Sequence, residues 1–193
     1  MKFQDEIQKT RISNIEIFYS GNIDLLRQKK IGIFASRDAP QSIVIPAEKF
    51  VFAVSKLPYV FISGWHSPFE KKIFEKLLLL EKEIIFFTSL GIRNMRMDNH
   101  LIKTWRNGRL LIISFFEDNS KMTSLNALRR NEMISDISEK NLFLYVNNNG
   151  NLRNLIPRLS KNGRNPLVFN NSKNFNYLKN CASIDINNYE DLL

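Results

Sequence analysis

The sequence predicts an α/β fold: a doubly wound, mainly parallel sheet of about six or more strands flanked by helices. Three observations predict it. Short apolar runs rich in Ile, Phe and Val recur along the chain, none alternates cleanly between polar and apolar positions, and segments of helical spacing lie between them. Strands covered on both faces read in this way. With 193 residues, 44% of them hydrophobic and 15 of them Phe, the chain is long enough to bury a core within one domain spanning 1–193.

Taken in order, residues 1–29 read as a short N-terminal extension ahead of the sheet. The first strand is KIGIFAS (30–36), followed by a helix over AEKFVFAVSKL that Pro46 opens. YVFISG (59–64) is the second strand. In the helix after it, Phe69, Ile73, Leu77 and Leu80 share one stripe, Ser67 stands at the N-cap and Pro68 at the first helical position. EIIFFTSLG (83–91) and RLLIISFF (109–116) are strands separated by the helical segment NHLIKTW. A long loop then ends in Arg129-Arg130-Asn131, which opens a helix carrying Met133, Ile134 and Ile137. NLFLYVN (141–147) is a strand, the Asn-rich tract 147–151 a turn or loop, and NPLVFNN (165–171) a further strand. Such alternation, with right-handed crossovers, gives a Rossmann-like domain.

Lys and Arg outnumber Asp and Glu by 28 to 19, for a formal charge of +9. That excess favours a polyanionic partner such as nucleic acid, although net charge also serves plain solubility. From Gly150 to Asn180 the chain holds Arg153, Arg158, Lys161, Arg164, Lys173 and Lys179 without one acidic residue, and this stretch is expected to face nucleic acid. A single cysteine, Cys181, excludes an internal disulfide framework and any multi-cysteine metal site. The N-terminal stretch is too charged for a signal peptide and no apolar run reaches a membrane span, so a soluble, cytoplasmic protein without a membrane partner is expected.

In open α/β sheets the ligand crevice lies beyond the carboxyl ends of the strands. There the sequence places Ser36-Arg37, Ser63-Gly64-Trp65-His66, Gly91 and Arg93, Arg129-Arg130-Asn131, and Asn149-Gly150-Asn151. Arg37 suits bidentate phosphate contact, and equally a salt bridge to Asp38. Ser63-Gly64 allows close backbone approach to a phosphate, or serves a tight turn only. Arg130 and Asn131, at a helix start, stand where free N–H groups favour an anion. Gly150 and Asn151 form either an anion-cradling nest or a turn. Trp65 or Phe69 offers a stacking face for a base.

The catalytic inventory is poor. His66 and His100 have no neighbours at ligand spacing, and phosphate-loop, dinucleotide and nucleophile-elbow motifs are all missing. Neither metal nor cofactor is expected, and no catalytic residue is assigned.

In order, IFYSGNIDLL, IGIFASR, FISGWHSPFE, IIFFTSLG, LIISFFEDN, LRRNEMISDIS and LFLYVNNNGNLRNL resemble the Rossmann domain of the DNA-processing protein A (Smf) family, within the wider SLOG set of nucleotide- or DNA-binding domains. The resemblance runs over roughly residues 15–175 and is strongest at Arg130-Asn131. It implies that Ser36 and Arg37 contact DNA phosphate, that Ser63 and Gly64 line the pocket, that Arg130 and Asn131 complete its floor, and that Gly150 forms the anion-accommodating turn. It also implies single-stranded DNA binding, homodimerisation, a recombinase partner and no catalysis. The chain departs from the family's S-G-x-A-x-G-I-D, with Pro68 at its second glycine and Glu70 at its aspartate, and Glu132 follows Asn131 where an arginine is usual. Other SLOG branches imply an alternative, a nucleotide-binding sensor or nucleotide-processing enzyme. The hydrolases among them carry P-G-G-x-G-T and then a glutamate, where this chain has Asn148 to Leu152 and no glutamate before Glu190.

Overall fold

A computed structural model describes residues 3–118, 123–179 and 181–193. The segment expected to precede the sheet belongs to it. β1 (Gln8–Ile12) and β2 (Ile15–Gly21) form an antiparallel hairpin, and β2 continues antiparallel onto a central strand. Its two turn residues, Ser13 and Asn14, have φ of 48° and 66°, the double positive φ that a tight hairpin needs to match strand twist. Ser-Asn is a weaker signal for such a turn than Asn-Gly, and β1 buries none of its residues fully, so neither turn chemistry nor periodicity marked the hairpin.

The six expected strands are present as β3 (Lys30–Ala35), β4 (Val60–Ser63), β5 (Ile84–Thr88), β6 (Leu110–Ser114), β7 (Lys140–Tyr145) and β8 (Pro166–Phe169). A three-residue β9 (Ala182–Ile184), too short to read from sequence, adds an edge. The sheet order is β1-β2-β6-β5-β4-β3-β7-β8-β9, and every pairing from β6 to β9 is parallel. From β3 the chain winds outward to β6, then crosses back to β7 and winds the other way. The reversal falls between β3 and β7, and the loops beyond their carboxyl ends border a crevice.

Helices α1 (Gln41–Val54), α2 (Pro68–Leu79) and α3 (Asn99–Arg106) cover one face of the sheet, burying Ile43, Phe50, Ile73, Leu77 and Trp105 against Ile31 and Ile33. On the other face α4 (Ser124–Ile137) and α5 (Leu152–Lys161) bury Met133, Ile134, Leu155 and Leu159 against Phe34, Val60 and Ile62. β3, β4 and β6 are buried along their whole length, the reason their sequences run apolar without alternation. Each such Ile or Phe contributes about 1.5–3 kcal/mol by leaving water.

Two helix starts differ from expectation. α1 begins at Gln41 behind Pro40, so Pro46 lies inside it rather than opening it. The bond that Pro46 cannot donate would have gone to Ser42, and both residues are exposed, so the lost bond falls on the solvent side of the helix. α4 begins at Ser124 with the Thr123 hydroxyl accepting from the Asn126 amide, which places Arg130 and Asn131 well inside the helix. By contrast α2 starts as expected: Ser67 and Glu70 form a reciprocal capping box with Pro68 in the first turn.

Candidate functional site: a cationic crevice at the switch point

A cavity of about 620 Å³ opens beyond the carboxyl ends of β3 and β7. The N-termini of α2, α4 and α5 converge on it, through Ser67, Thr123 with Ser124, and Asn151 with Leu152. Aligned peptide dipoles give each such end partial positive charge. The three are not equivalent. At α2 the Glu70 carboxylate already accepts the amides of His66 and Ser67 at 3.0 and 3.1 Å, and of Ala35 at 3.1 Å. At α5 the Asn151 side chain makes no capping bond, and the Arg153 and Asn154 amides turn back to the Gly150 and Asn151 carbonyls at 3.3 Å each.

Arg130 lies in the floor, 5% exposed. Its Nε and Nη2 donate to Asn131 Oδ1 at 3.1 and 2.8 Å, while buried Nη1 has no hydrogen-bond partner among the described residues. Burial pulls the guanidinium's pKa below its ordinary value, and the nearby Glu70 carboxylate opposes that. A buried guanidinium with a spare donor is a strong draw for an anion.

On the β3 side, Arg37 stands exposed at the rim with no hydrogen-bond or ion-pair partner among the described residues. Its neighbour Asp38 instead accepts from the Asn147 side chain, so the alternative Arg37–Asp38 bridge is not made. The Ser36 hydroxyl accepts the Asn147 amide at 2.9 Å, tying the β3 end to the β7 loop. Gly150 packs close by, where an added Cβ would sit 3.4 Å from Ser36 Oγ. His66 completes the wall, 3.4 Å from the Ser89 hydroxyl and edge-on to Phe86. Burial, and then Arg130, Lys71 and Arg37 in turn, lower its pKa from 6.5 to about 4, so the ring is neutral near pH 7.

The structure therefore brings Ser36, Arg37, His66, Arg130, Asn131, Gly150 and Asn151 to one cavity. Ser63 and Gly64 lie beneath it, with Gly64 backing the Arg130 guanidinium. Arg129 does not line it; its guanidinium stacks on the Phe115 ring at 5.2 Å.

Trp65 and Phe69 offer no stacking face. They are 1% and 2% exposed, Trp65 Nε1 donates to the Ile85 carbonyl at 3.1 Å, and its ring stacks on Phe74. The positive φ of Trp65, 51°, swings the side chain inward under β5. The basic stretch from 150 to 180 also divides. Arg158 pairs with Asp136 on α4 at 2.7 Å, and Arg164 donates to the carbonyls of Ser135, Asp136 and Ser138. Those acceptors lie on another helix, invisible to a local charge count.

Sequence reasoning missed Glu70 as the site's organiser, although Ser67-x-x-Glu70 is a capping-box spacing that marks it. It also missed Asn147, Ser89 and Lys71, which carry no local signature. Among the described residues no cluster suited to a metal ion is present, and no helix is long and apolar enough to cross a membrane.

A doubly wound α/β sheet with a cationic cavity at its switch point defines the class: a Rossmann-like protein with an anion-receiving crevice. The chain belongs to the DNA recombination-mediator protein A family, whose sequence profile matches residues 2–154. In three dimensions it is similar to DNA processing protein A from Helicobacter pylori, a structure described for its single-stranded DNA binding mode (TM-score 0.78, 14% identity, 97% of this chain and 94% of that one). It is also similar to DNA processing protein A from Streptococcus pneumoniae (TM-score 0.75, 16% identity, 88% of this chain). The match spans 63% of the Streptococcus pneumoniae chain. No curated protein matches in sequence.

Proposed function

We propose that the crevice holds the sugar-phosphate backbone of single-stranded DNA and carries out no chemistry on it. Buried Arg130, with Nη1 unpartnered among the described residues in a cavity that the N-terminus of α5 also lines, carries the reading. Arg37 at the rim supplies a second guanidinium for an adjacent phosphate, and the Ser36–Asn147 hydrogen bond links the β3 end to the β7 loop beside it. Family membership and the binding mode described for the Helicobacter pylori protein favour this ligand. The same likeness favours a cytoplasmic protein that homodimerises, serves DNA uptake or recombination and hands its strand to a recombinase.

Titration of a labelled oligothymidine tests it. Affinity should fall with salt at a slope of about 0.7 per neutralised phosphate, and Arg37→Ala and Arg130→Ala should each flatten that slope. Unchanged binding in both variants would overturn the reading. A free mononucleotide is the second reading, favoured by the cavity's volume of about 620 Å³. A thermal shift with mononucleotide but none with oligonucleotide would select it.

A further inference from the structure

The crevice provides cations but no exposed aromatic face, because Trp65 and Phe69 are core residues. An aromatic of the opposite kind stands on the same edge of the sheet. Past the carboxyl end of β8 the chain forms a short helix, α6 (Phe175–Leu178), anchored by Asn174, whose buried side chain donates to the Leu144 and Phe169 carbonyls and accepts the Val146 amide. Phe175 projects from this anchored turn with 59% of its surface exposed, and the Lys179 ammonium lies 5.0 Å from its ring centroid.

Exposed cations stand both on the helix that follows the crevice loop and around α6. Arg153, on the first turn of α5, donates to the Asn148 carbonyl at 2.9 Å in the loop that forms the crevice wall. Asn174, at the start of α6, takes the amide of Val146, the residue before Asn147 of the crevice wall, so α6 adjoins that loop. Once Arg158 and Arg164 are committed to α4, the exposed cations left near α6 are Arg153, Lys173 and Lys179, in a stretch without a carboxylate. An exposed, rigidly mounted ring among phosphate-seeking cations is how single-stranded nucleic acid is gripped without sequence preference. A second copy of the chain fits less well, since a two-fold contact would set these cations against their own images.

We infer that Phe175, with Lys173, Lys179 and Arg153, is a second contact for single-stranded DNA, stacking a base of the strand as it leaves the crevice past the N-terminus of α5. This rests on the crevice reading for its ligand. It lies beyond residue 154, where the family profile ends.

Fluorescence anisotropy with oligothymidines of about 5 and about 20 nucleotides separates the two. Phe175→Ala should leave the short oligonucleotide's affinity unchanged and weaken the long one about 10-fold, with Phe175→Trp restoring it. Lys173→Ala with Lys179→Ala should lower the long oligonucleotide's salt slope by about 1.4 and leave the short one's alone. Equal affinity of Phe175→Ala and the native chain for the long oligonucleotide would overturn the inference and leave the crevice reading standing. Long-oligonucleotide binding that survives Arg130→Ala and is then abolished by Phe175→Ala would overturn the crevice reading and with it the inferred path from crevice to ring. No binding at either length would overturn both. Sedimentation of each variant guards against the remaining outcome: if Phe175→Ala weakens binding only by dissociating a dimer, the ring contacts a second copy and the inference fails.

Discussion

Gly64 and Arg130 occupy one another's space: a Cβ at Gly64 would stand 2.3 Å from the Arg130 guanidinium carbon and 2.6 Å from its Nε and Nη1. The end of β4 is therefore a floor on which the guanidinium lies flat, and it has no room for a side chain. Because Arg130 is buried and pinned to Asn131, it cannot swing clear cheaply. Gly64→Ala should destabilise the fold by about 1–3 kcal/mol through overpacking. It should also reproduce the loss of oligonucleotide affinity expected of Arg130→Ala. Urea denaturation and a binding titration read the two effects, and native affinity in Gly64→Ala would show that the position of Arg130 does not matter for the ligand.

Trp65 tests the difference between a sequence-adjacent aromatic and a usable one. Its ring is stacked on Phe74 with centroids 5.2 Å apart, and its indole N–H is spoken for by Ile85. Trp65→Ala should cost about 3–5 kcal/mol of stability, as large aromatic deletions in cores do. In a Trp105→Phe background the remaining indole should be blue-shifted, shielded from acrylamide and indifferent to added oligonucleotide. Quenching by bound DNA would contradict its place in the core.

The contrast shows what was legible. Six parallel strands could be read because each is buried on both faces, so local composition alone reports a non-local fact. The crevice followed from the rule that ligand sites gather where strand order reverses, which needs the order of elements and not their contacts. What could not be read depended on partners far away in sequence. Arg158 and Arg164 looked free until α4 supplied Asp136 and three carbonyls. Trp65 sits beside Gly64 in sequence, yet a positive φ sends it to the core. The N-terminal hairpin was missed because β1 is a solvated edge strand with no apolar alternation to report.

Glu70 balances the site from below. Its carboxylate takes three backbone amides and faces the Arg130 charge, so it both holds the β3 and β4 ends together and offsets some of the crevice's attraction for anions. Glu70→Gln keeps the shape but removes the charge and one acceptor. Stability should fall by about 1–3 kcal/mol, the penalty for leaving a buried amide unsatisfied. Oligonucleotide affinity at low salt should rise in the same variant, because the remaining cations lose their counter-charge. A variant that is both less stable and weaker in binding would mean that Glu70 acts on the ligand only through geometry.

His66 makes the crevice responsive to pH. Burial first, and then Arg130, Lys71 and Arg37, hold its pKa at about 4 against an ordinary 6.5. The sign follows from which state takes up the proton. Above 6.5 the imidazole is neutral both folded and unfolded and contributes nothing. As pH falls toward 4 the unfolded chain binds a proton that the folded chain refuses, so stability declines across that window. After screening at the partly exposed ring the loss is roughly 2 kcal/mol, and His66→Gln should abolish this part of the decline. A phosphate in the crevice would answer the three cations that depress His66 and so raise its pKa, which makes binding take up a proton and strengthens it as pH drops. The His66 ring signals, followed by NMR with and without oligonucleotide, give both values. A free protein whose His66 titrates at its ordinary value would sink the argument, since nothing would then couple the ring to the charges around it.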